Sequence, residues 1–170
     1  MLVGLMSDSH DRVAAVEGAV KLFNESAVDF VLHAGDHVAP FVVRRYQGLK
    51  APWRGVFGNN DGERRGLMLA SGGRIGGDVL RLELGGCGIL LVHRREDGLA
   101  LAASGRLGPV DVLVCGHTHE KGRWEEEGIV VVNPGETCGY VSGSPTVALL
   151  DTETKQVEWV ALEVGAVSRG

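Results

Sequence analysis

Short apolar runs in this chain end directly in small polar motifs. Val31-Leu32 leads into Gly35-Asp36, and the run over residues 112–114 leads into Gly116-His117. Apolar runs this short, bounded by glycine and polar residues, are typical of buried strands. Ligands in open α/β sheets gather at the carboxyl ends of the strands. The pattern therefore predicts a sheet edge that collects polar side chains, including four of the six histidines: His10, His93, His117 and His119.

The first half of the sequence has the rhythm of parallel β-α-β units. Apolar residues recur at helical spacing over residues 13–23, and Asp11 is placed to cap that helix. A second helix is expected over residues 41–46, with Pro40 at its start, where proline is tolerated. The strands predicted in this half cover residues 2–6, 30–32 and 53–57.

The second half is richer in strands and has one short predicted helix, over residues 99–103. Gly85-Gly86 joins two of these strands, and residues 151–154 form the turn of a closing hairpin. A strand-rich half after a βαβ half suggests two packed sheets with helices outside. The strands predicted here cover residues 78–84, 89–92, 112–114, 129–132, 146–150 and 156–160.

Composition limits the class of protein. The 170 residues suit one domain spanning residues 1–170, and a net charge of −5 argues against an extended basic surface for nucleic acid. No apolar run approaches the ~18 residues of a membrane span, and residues 1–6 are too short for a signal peptide. The three cysteines are odd in number and lack C-x-x-C spacing, so no disulfide framework is expected. We expect a cytoplasmic protein without a membrane partner.

Each polar motif has a simple structural explanation when taken alone. Asp8 could cap the following helix, Asp36 could be a turn residue, and Asn59-Asn60 could form a loop. His93 could be a core histidine with a satisfied hydrogen bond. These explanations fail together, because all of these residues follow strands that are predicted to reach the same sheet edge. Asp8-x-His10 and His117-x-His119 also place pairs of donors on one side of an extended backbone.

The motifs Asp-x-His, Gly-Asp, Gly-Asn-x-Asp, His, Gly-His-x-His and Asn-Pro-Gly follow one another between Asp8 and Glu136. This order resembles the calcineurin-like metallophosphoesterase superfamily. Chain length and Asn133-Pro134-Gly135 make the sequence most similar to its small YfcE-type phosphodiesterases of bacteria and archaea. The resemblance implies an α/β fold, a four-layer α/β/β/α sandwich in which two packed mixed β-sheets are flanked by helices. It also implies two metals on the rim between the sheets.

Carried over position by position, the resemblance implies seven metal ligands. Imidazole and carboxylate donors suit Mn, Ni, Fe, Co or Zn, and we expect two divalent ions, with Mn as the first choice. Two such ions outweigh the charge of the two aspartates and a shared hydroxide, which leaves a net charge of about +1 for a phosphodiester monoanion. The implied ligands are Asp8, His10 and His119 for the first metal, Asn59, His93 and His117 for the second, and Asp36 as a bridge.

The activity that the resemblance implies is hydrolysis of small phosphodiesters by a hydroxide that two metals activate. Two alternatives stay open. A phosphomonoesterase could use the same site, and a non-catalytic scaffold could keep the fold, as in the vacuolar sorting subunit that the chain also resembles. Retention of all seven implied ligands favours an enzyme, because drift toward a scaffold would erode some of them. A small phosphodiester is the expected partner, and homo-oligomer formation stays open.

Two positions depart from the family pattern. Arg94 follows His93 where relatives usually carry glycine. It could narrow the approach to the second metal, supply a phosphate-binding guanidinium, or reach outward to solvent as a harmless change, which is the favoured interpretation. Asn60 stands where many catalytic members have a histidine that protonates the leaving oxygen. Its amide donates a hydrogen bond but cannot give up a proton. We predict Asn60 and His93 as catalytic residues, and Asn60 and Arg94 as substrate-binding residues.

Other polar residues near the motifs have structural expectations. Arg64 and Arg65 follow the Gly-Asn-x-Asp loop and could face the site, but a solvated helix start is the expected position. Asn133 and Gly135 are expected to shape a turn beside His117. Glu136 stands where a small polar residue is frequent after Asn-Pro-Gly in the family that the chain resembles.

Overall fold

The computed structural model describes residues 1–164, which form ten strands, four α-helices and a 3-10 helix. The strands are β1 (Leu2–Met6), β2 (Phe30–His33), β3 (Trp53–Gly55), β4 (Val79–Leu84), β5 (Cys87–Val92), β6 (Val112–Val114), β7 (Gly122–Glu126), β8 (Ile129–Asn133), β9 (Thr146–Asp151) and β10 (Val157–Ala161). The helices are α1 (Val13–Glu25), α2 (Pro40–Val43), the 3-10 helix (Arg44–Gly48), α3 (Arg64–Ala70) and α4 (Arg95–Ala103). Within the described part of the chain, no helix combines the length and apolar character needed to cross a bilayer.

The strands form two mixed five-stranded sheets. The first has the order β10-β9-β1-β2-β3, in which β1, β2 and β3 run parallel. The second has the order β4-β5-β6-β8-β7, in which β5, β6 and β8 run parallel. Because parallel neighbours end on the same side, the loops after β1 and β2 lie together, as do the loops after β5 and β6.

Alternating side chains build the layers of the molecule. In β5, Ile89 and Leu91 belong to the core between the two sheets, while Leu90 and Val92 belong to a cluster that packs against Leu99 of α4. On the outer face of the first sheet, a third cluster includes residues of α1, α2 and α3. The α/β/β/α sandwich of two mixed sheets flanked by helices is therefore confirmed.

Several sequence-based boundaries differ from the structure. The prediction that Asp11 caps α1 is wrong, because Arg12 occupies the N-cap position and no side chain bonds the helix start. The predicted helix over residues 41–46 divides into α2 and a 3-10 helix. A helix start was expected at Arg64, but the extent of α3 was not predicted, and strand β7 was missed. Both are mostly exposed: α3 buries only Leu67, and β7 is an edge strand, so neither carries a clear apolar period.

Candidate metal centre

The structure brings the seven predicted ligands together where strands of both sheets end. Four follow strands of the first sheet, and three follow β5 and β6 of the second sheet. Contacts link them into two groups that meet at the aspartates. One ligand atom from each of Asp8, Asp36 and His93 lies within 4.8 Å of the others. The first group contains Asp8, His10 and His119, and the second contains Asp36, Asn59, His93 and His117.

In the first group, the lone pair of an imidazole nitrogen faces a carboxylate oxygen. His119 Nδ1 lies 2.7 Å from Glu136 Oε2, so the ring donates from Nδ1 and its Nε2 carries a lone pair in the neutral form. That Nε2 lies 3.4 Å from Asp8 Oδ1. Both Asp8 Oδ1 and His10 Nε2 are buried without a hydrogen-bond partner among residues 1–164. Burying such unpaired polar atoms costs desolvation free energy unless a cation binds them.

The second group repeats this arrangement. His93 Nδ1 donates to Ala34 O at 2.8 Å, which leaves the lone pair on Nε2. Around that nitrogen lie Asn59 Oδ1 at 2.9 Å and Asp36 Oδ2 at 3.5 Å, both of them acceptors. The ring of His117 is centred 5.2 Å from that of His93. Metal-bound histidines commonly donate their second ring nitrogen to a carbonyl or a carboxylate, as His93 and His119 do here.

Five of the predicted ligands have left-handed backbone. A non-glycine residue with positive φ costs of the order of 1–3 kcal/mol and persists only where the surrounding structure enforces it, often at functional sites. Their φ angles are 49° for Asp8, 46° for His10, 61° for Asp36, 71° for His117 and 63° for His119. The donor set, its orphaned atoms and its strained backbone all fit a bound cation.

Two glycines of the motifs are required by close approach. A Cβ atom at Gly58 would overlap the carboxylate and backbone nitrogen of Asp36, and one at Gly116 would overlap the hydroxyl of Ser7. Both glycines therefore let neighbouring loops pack against the aspartates. Their presence in the motifs has a steric cause and needs no contact with metal.

Asp61, the last residue of the Gly-Asn-x-Asp motif, organises these loops. Its carboxylate is buried and accepts the backbone N–H groups of Asp36 at 3.0 Å, Gly58 at 2.7 Å and Val38 at 2.7 Å. These three bonds fix the loop after β2 to the loop after β3. Sequence reasoning included Asp61 in a motif but assigned it no role, because its partners are brought to it only by the fold.

Asn60 contacts the predicted bridging residue. Its backbone nitrogen lies 2.8 Å from Asp36 Oδ1, and its side-chain Nδ2 lies 2.7 Å from Asp36 Oδ2. The residue is exposed, so its amide stands at the entrance to the site.

Beside Asn59 and His93 lies a cleft of ≈ 330 Å³. Arg94 is exposed and lines this cleft. Arg64 begins α3, as expected, but it also lines the cleft and pairs with Asp78 at 2.9 Å. Burial lowers the pKa of His117, and the neighbouring His93 and Arg94 lower it further. Lower basicity favours the neutral imidazole that a metal requires.

Two buried residues beside the first group were not predicted to contribute. Glu136 holds His119, and although burial raises its pKa, hydrogen bonds from Ser142, His119 and Val141 lower it to about 2. Cys138 has its sulfur within 4.8 Å of ring nitrogens of His10 and His119. Burial raises the pKa of that thiol to about 12. The only sequence signal for either was the departure at position 136.

A buried polar network lies beneath the ligands. His33 Nε2 lies 2.9 Å from Ser9 Oγ, which lies 3.1 Å from Tyr46 Oη, and the ring of His37 stacks on that of His33 with centroids 3.8 Å apart. Gly35 N donates to His33 Nδ1 at 3.2 Å. Burial lowers the pKa of His33 well below its usual value, and the neighbouring His37 lowers it further. This histidine is a neutral support of the loops that carry the ligands.

Comparison with known proteins gives consistent results. The calcineurin-like phosphoesterase superfamily domain matches residues 1–155. The chain is 36% identical to phosphodiesterase MJ0936 of Methanocaldococcus jannaschii over 167 residues, which cover 96% of this chain and 100% of that protein. The solved structure of an archaeal phosphodiesterase superposes with a TM-score of 0.86 at 36% identity, covering 95% of this chain and 100% of that one.

More distant structures share the fold. YfcE, a phosphoesterase from E. coli, has a TM-score of 0.72 at 21% identity and covers 96% of this chain and 100% of its own. Vps29 of Chaetomium thermophilum has a TM-score of 0.68 at 18% identity and covers 97% of this chain and 98% of its own. At these identities the likeness concerns the fold alone.

Proposed function

Because the chain belongs to the calcineurin-like phosphoesterase superfamily, we propose that it is a metal-dependent phosphodiesterase that hydrolyses small phosphodiesters with two divalent ions. The observation that carries this proposal is the pair of imidazole lone pairs, on His93 and His119, that face acceptor oxygens. Nε2 of His119 lies 3.4 Å from Asp8 Oδ1, and Nε2 of His93 lies 3.5 Å from Asp36 Oδ2. A cation between such atoms turns each repulsion into coordination.

The ligands divide between two positions. Asp36 would bridge them, because its carboxylate lies within reach of both groups. When bound, two divalent ions lower the pKa of water so that hydroxide forms near neutral pH, and they neutralise charge on the phosphoryl oxygens. Mn is the first choice among Mn, Ni, Fe, Co and Zn. The proposed sets are Asp8, His10 and His119 for the first ion and Asn59, His93 and His117 for the second.

The remaining residues would bind and orient the substrate. Asn60 Nδ2, at the entrance, would donate a hydrogen bond to the leaving oxygen once Asp36 turns to metal. Arg94 would contact the phosphate or its substituent from the wall of the cleft. His93 would keep its Nδ1 proton on Ala34 O and present Nε2 to the site. No residue of this set is a strong proton donor to the leaving group, so the pKa of that group should govern the rate.

A non-catalytic scaffold is the second candidate, because Vps29 shares the fold. The strained left-handed backbone at five predicted ligands supports the enzyme instead. Backbone strain of this kind is expected to relax where a site has lost its function.

The test is metal analysis of purified protein followed by assays on bis-p-nitrophenyl phosphate and p-nitrophenyl phosphate with added Mn or Ni. We expect two equivalents of metal and faster hydrolysis of the diester. Faster hydrolysis of the monoester would make the protein a phosphomonoesterase. Metal binding without hydrolysis of either ester would support the scaffold, and absence of bound metal would refute the proposed centre.

A further inference from the structure

Glu136 is a buried carboxylate in contact with one of the predicted ligands. We propose that it is a positioning residue, which fixes the tautomer and direction of His119 and so sets the affinity of the first metal position. This inference rests on the metal centre of the proposed function. It assigns a role to a residue at which the chain departs from the pattern of its family.

The carboxylate of Glu136 is fully buried, and its polar contacts are all with hydrogen-bond donors. Oε2 accepts hydrogen bonds from His119 Nδ1 at 2.7 Å and from Cys138 Sγ at 3.3 Å. Oε1 accepts a hydrogen bond from the backbone N–H of Ser142, and the backbone nitrogen of Val141 lies 3.1 Å from Oε1 and 3.2 Å from Oε2. A carboxylate can accept about four hydrogen bonds, so this one is saturated and has no lone pair left for a metal. Glu136 therefore acts on the site through its neighbours.

The bond to His119 decides which nitrogen faces the site. A proton held on Nδ1 by a carboxylate leaves the lone pair on Nε2, and Nε2 lies 3.4 Å from the orphaned Asp8 Oδ1. Carboxylate acceptors also make the imidazole a better electron donor, and loss of such partners typically weakens metal binding by about 10–100-fold. The geometry gives Glu136 both effects at the first position.

Glu136 is itself held firmly. The next two residues pair with the end of β1, because Thr137 N donates to Ser7 O at 2.8 Å and Cys138 N donates to Asp8 O at 3.1 Å. The backbone that carries the carboxylate is thus tied to the backbone that carries Asp8. The relative positions of the predicted ligands His119 and Asp8 therefore depend on one short segment, residues 136–138.

Cys138 could instead be a direct ligand, since its sulfur is near the rings of His10 and His119. The contacts argue against this. The sulfur lies 3.3 Å from the same Oε2 that accepts from Nδ1 of His119, which is the ring nitrogen turned away from Asp8. We therefore assign the thiol to Glu136. A thiolate-to-metal absorption band in the Co²⁺-loaded protein would contradict that assignment.

The first measurement uses the unmodified, metal-free protein. Long-range ¹H–¹⁵N spectra at mildly alkaline pH should show His119 as the tautomer with the proton on Nδ1 and a lone pair on Nε2. This result does not require activity, a bound metal or a variant that folds. A proton on Nε2 of His119 in the wild-type protein would overturn the proposal.

The second measurement compares Glu136→Gln with Glu153→Gln, an exposed acid in the β9–β10 turn, as the matched control. The single oxygen of glutamine can accept from His119 or from the amide of Ser142, but not from both. Competition with a chromophoric chelator should show Zn²⁺ affinity lowered about 10–100-fold at one of two positions. Unchanged affinity at both positions in Glu136→Gln would overturn the inference. Absence of metal binding in the wild type would refute the proposed function and leave the tautomer measurement to decide the role of Glu136.

Discussion

Asp36 is the residue on which the contacts of the site converge. Its carboxylate accepts two hydrogen bonds from Asn60 and lies 3.5 Å from His93 Nε2. Asp36→Asn should lose bound metal and lower hydrolysis of bis-p-nitrophenyl phosphate by more than about 100-fold, because a neutral amide cannot balance two cations. Asp29→Asn, an exposed acid at the opposite end of the strands, is the control and should keep near-normal turnover. Near-normal metal content in Asp36→Asn would rule out a bridging role.

Asn60 tests the chemistry of the leaving group. An alkoxide of high pKa needs a proton as the bond breaks, and general acid help is worth about 10²–10⁴-fold. Asn60→His should therefore raise kcat/KM on 2′,3′-cyclic nucleotides more than on bis-p-nitrophenyl phosphate, whose leaving group is stable as an anion. The comparison requires both proteins on both substrates. An equal gain on the two esters would show that residue 60 does not act on the leaving oxygen.

Site residues could be predicted where the neighbouring sequence indicates their role, and could not where the role depends on residues distant in the chain. Asp8 and His10 could be predicted from their spacing and from their place after an apolar run. Glu136 has no such signal, and Asp61 belongs to a motif that does not reveal its role, because His119 and Asp36 are brought to these acids only by folding. A sequence alone does not distinguish an acid that positions a ligand from an acid that binds metal.

At the level of elements, β2 ends in a histidine that must stay neutral. His33 accepts from Gly35 N at Nδ1, so a proton there would face a donor. Its lowered pKa means that the unfolded chain binds a proton more readily than the folded one below about pH 6.5, and stability is lost as pH falls through that range. The slope should approach about 1.4 kcal/mol per pH unit for one such proton.

This is measured by denaturant unfolding of the metal-free protein over a series of pH values. His33→Gln is expected to be less stable overall but to have a shallower dependence on pH, because one titrating group has been removed. The same slope in both proteins would mean that His33 does not carry the effect. His37 stays in both, so part of the slope should persist.

The elements that were missed are mostly exposed, but β4 and β10 were predicted although they bury little, because apolar and polar residues alternate along much of their length. Strand β5 is buried at every residue and was found over most of its length, whereas the edge strand β7 was not. Exposed elements owe their place to hydrogen bonds with a neighbour, as β7 does with β8. Such pairing leaves little trace in the apolar pattern of one segment.

At the level of the whole molecule, the predicted ligands come from both sheets. Asp8, Asp36 and Asn59 follow strands of the first sheet, and His93 and His117 follow strands of the second. Bound ions would therefore link the two layers. Because only the folded chain has the site, each bound ion should stabilise it by about 2.7 kcal/mol at a free concentration about 100-fold above Kd.

Thermal unfolding with added Mn and with chelator checks this expectation. The wild-type Tm should rise with Mn and fall with chelator, and Asp36→Asn should respond to neither. An Mn-dependent shift of equal size in Asp36→Asn would place the stabilising ion elsewhere.

The order of strands in the first sheet also bears on how the chain acquires its structure during synthesis. Strand β1 lies between β2 and β9, and β9 begins only at Thr146. Until those late residues leave the ribosome, one edge of β1 has no partner, and the loop with Asp8 lacks the support of Thr137 and Cys138. We therefore expect the rim to close last, so that nascent chains ending before Thr146 cannot hold the ions, however many of the ligands they already contain.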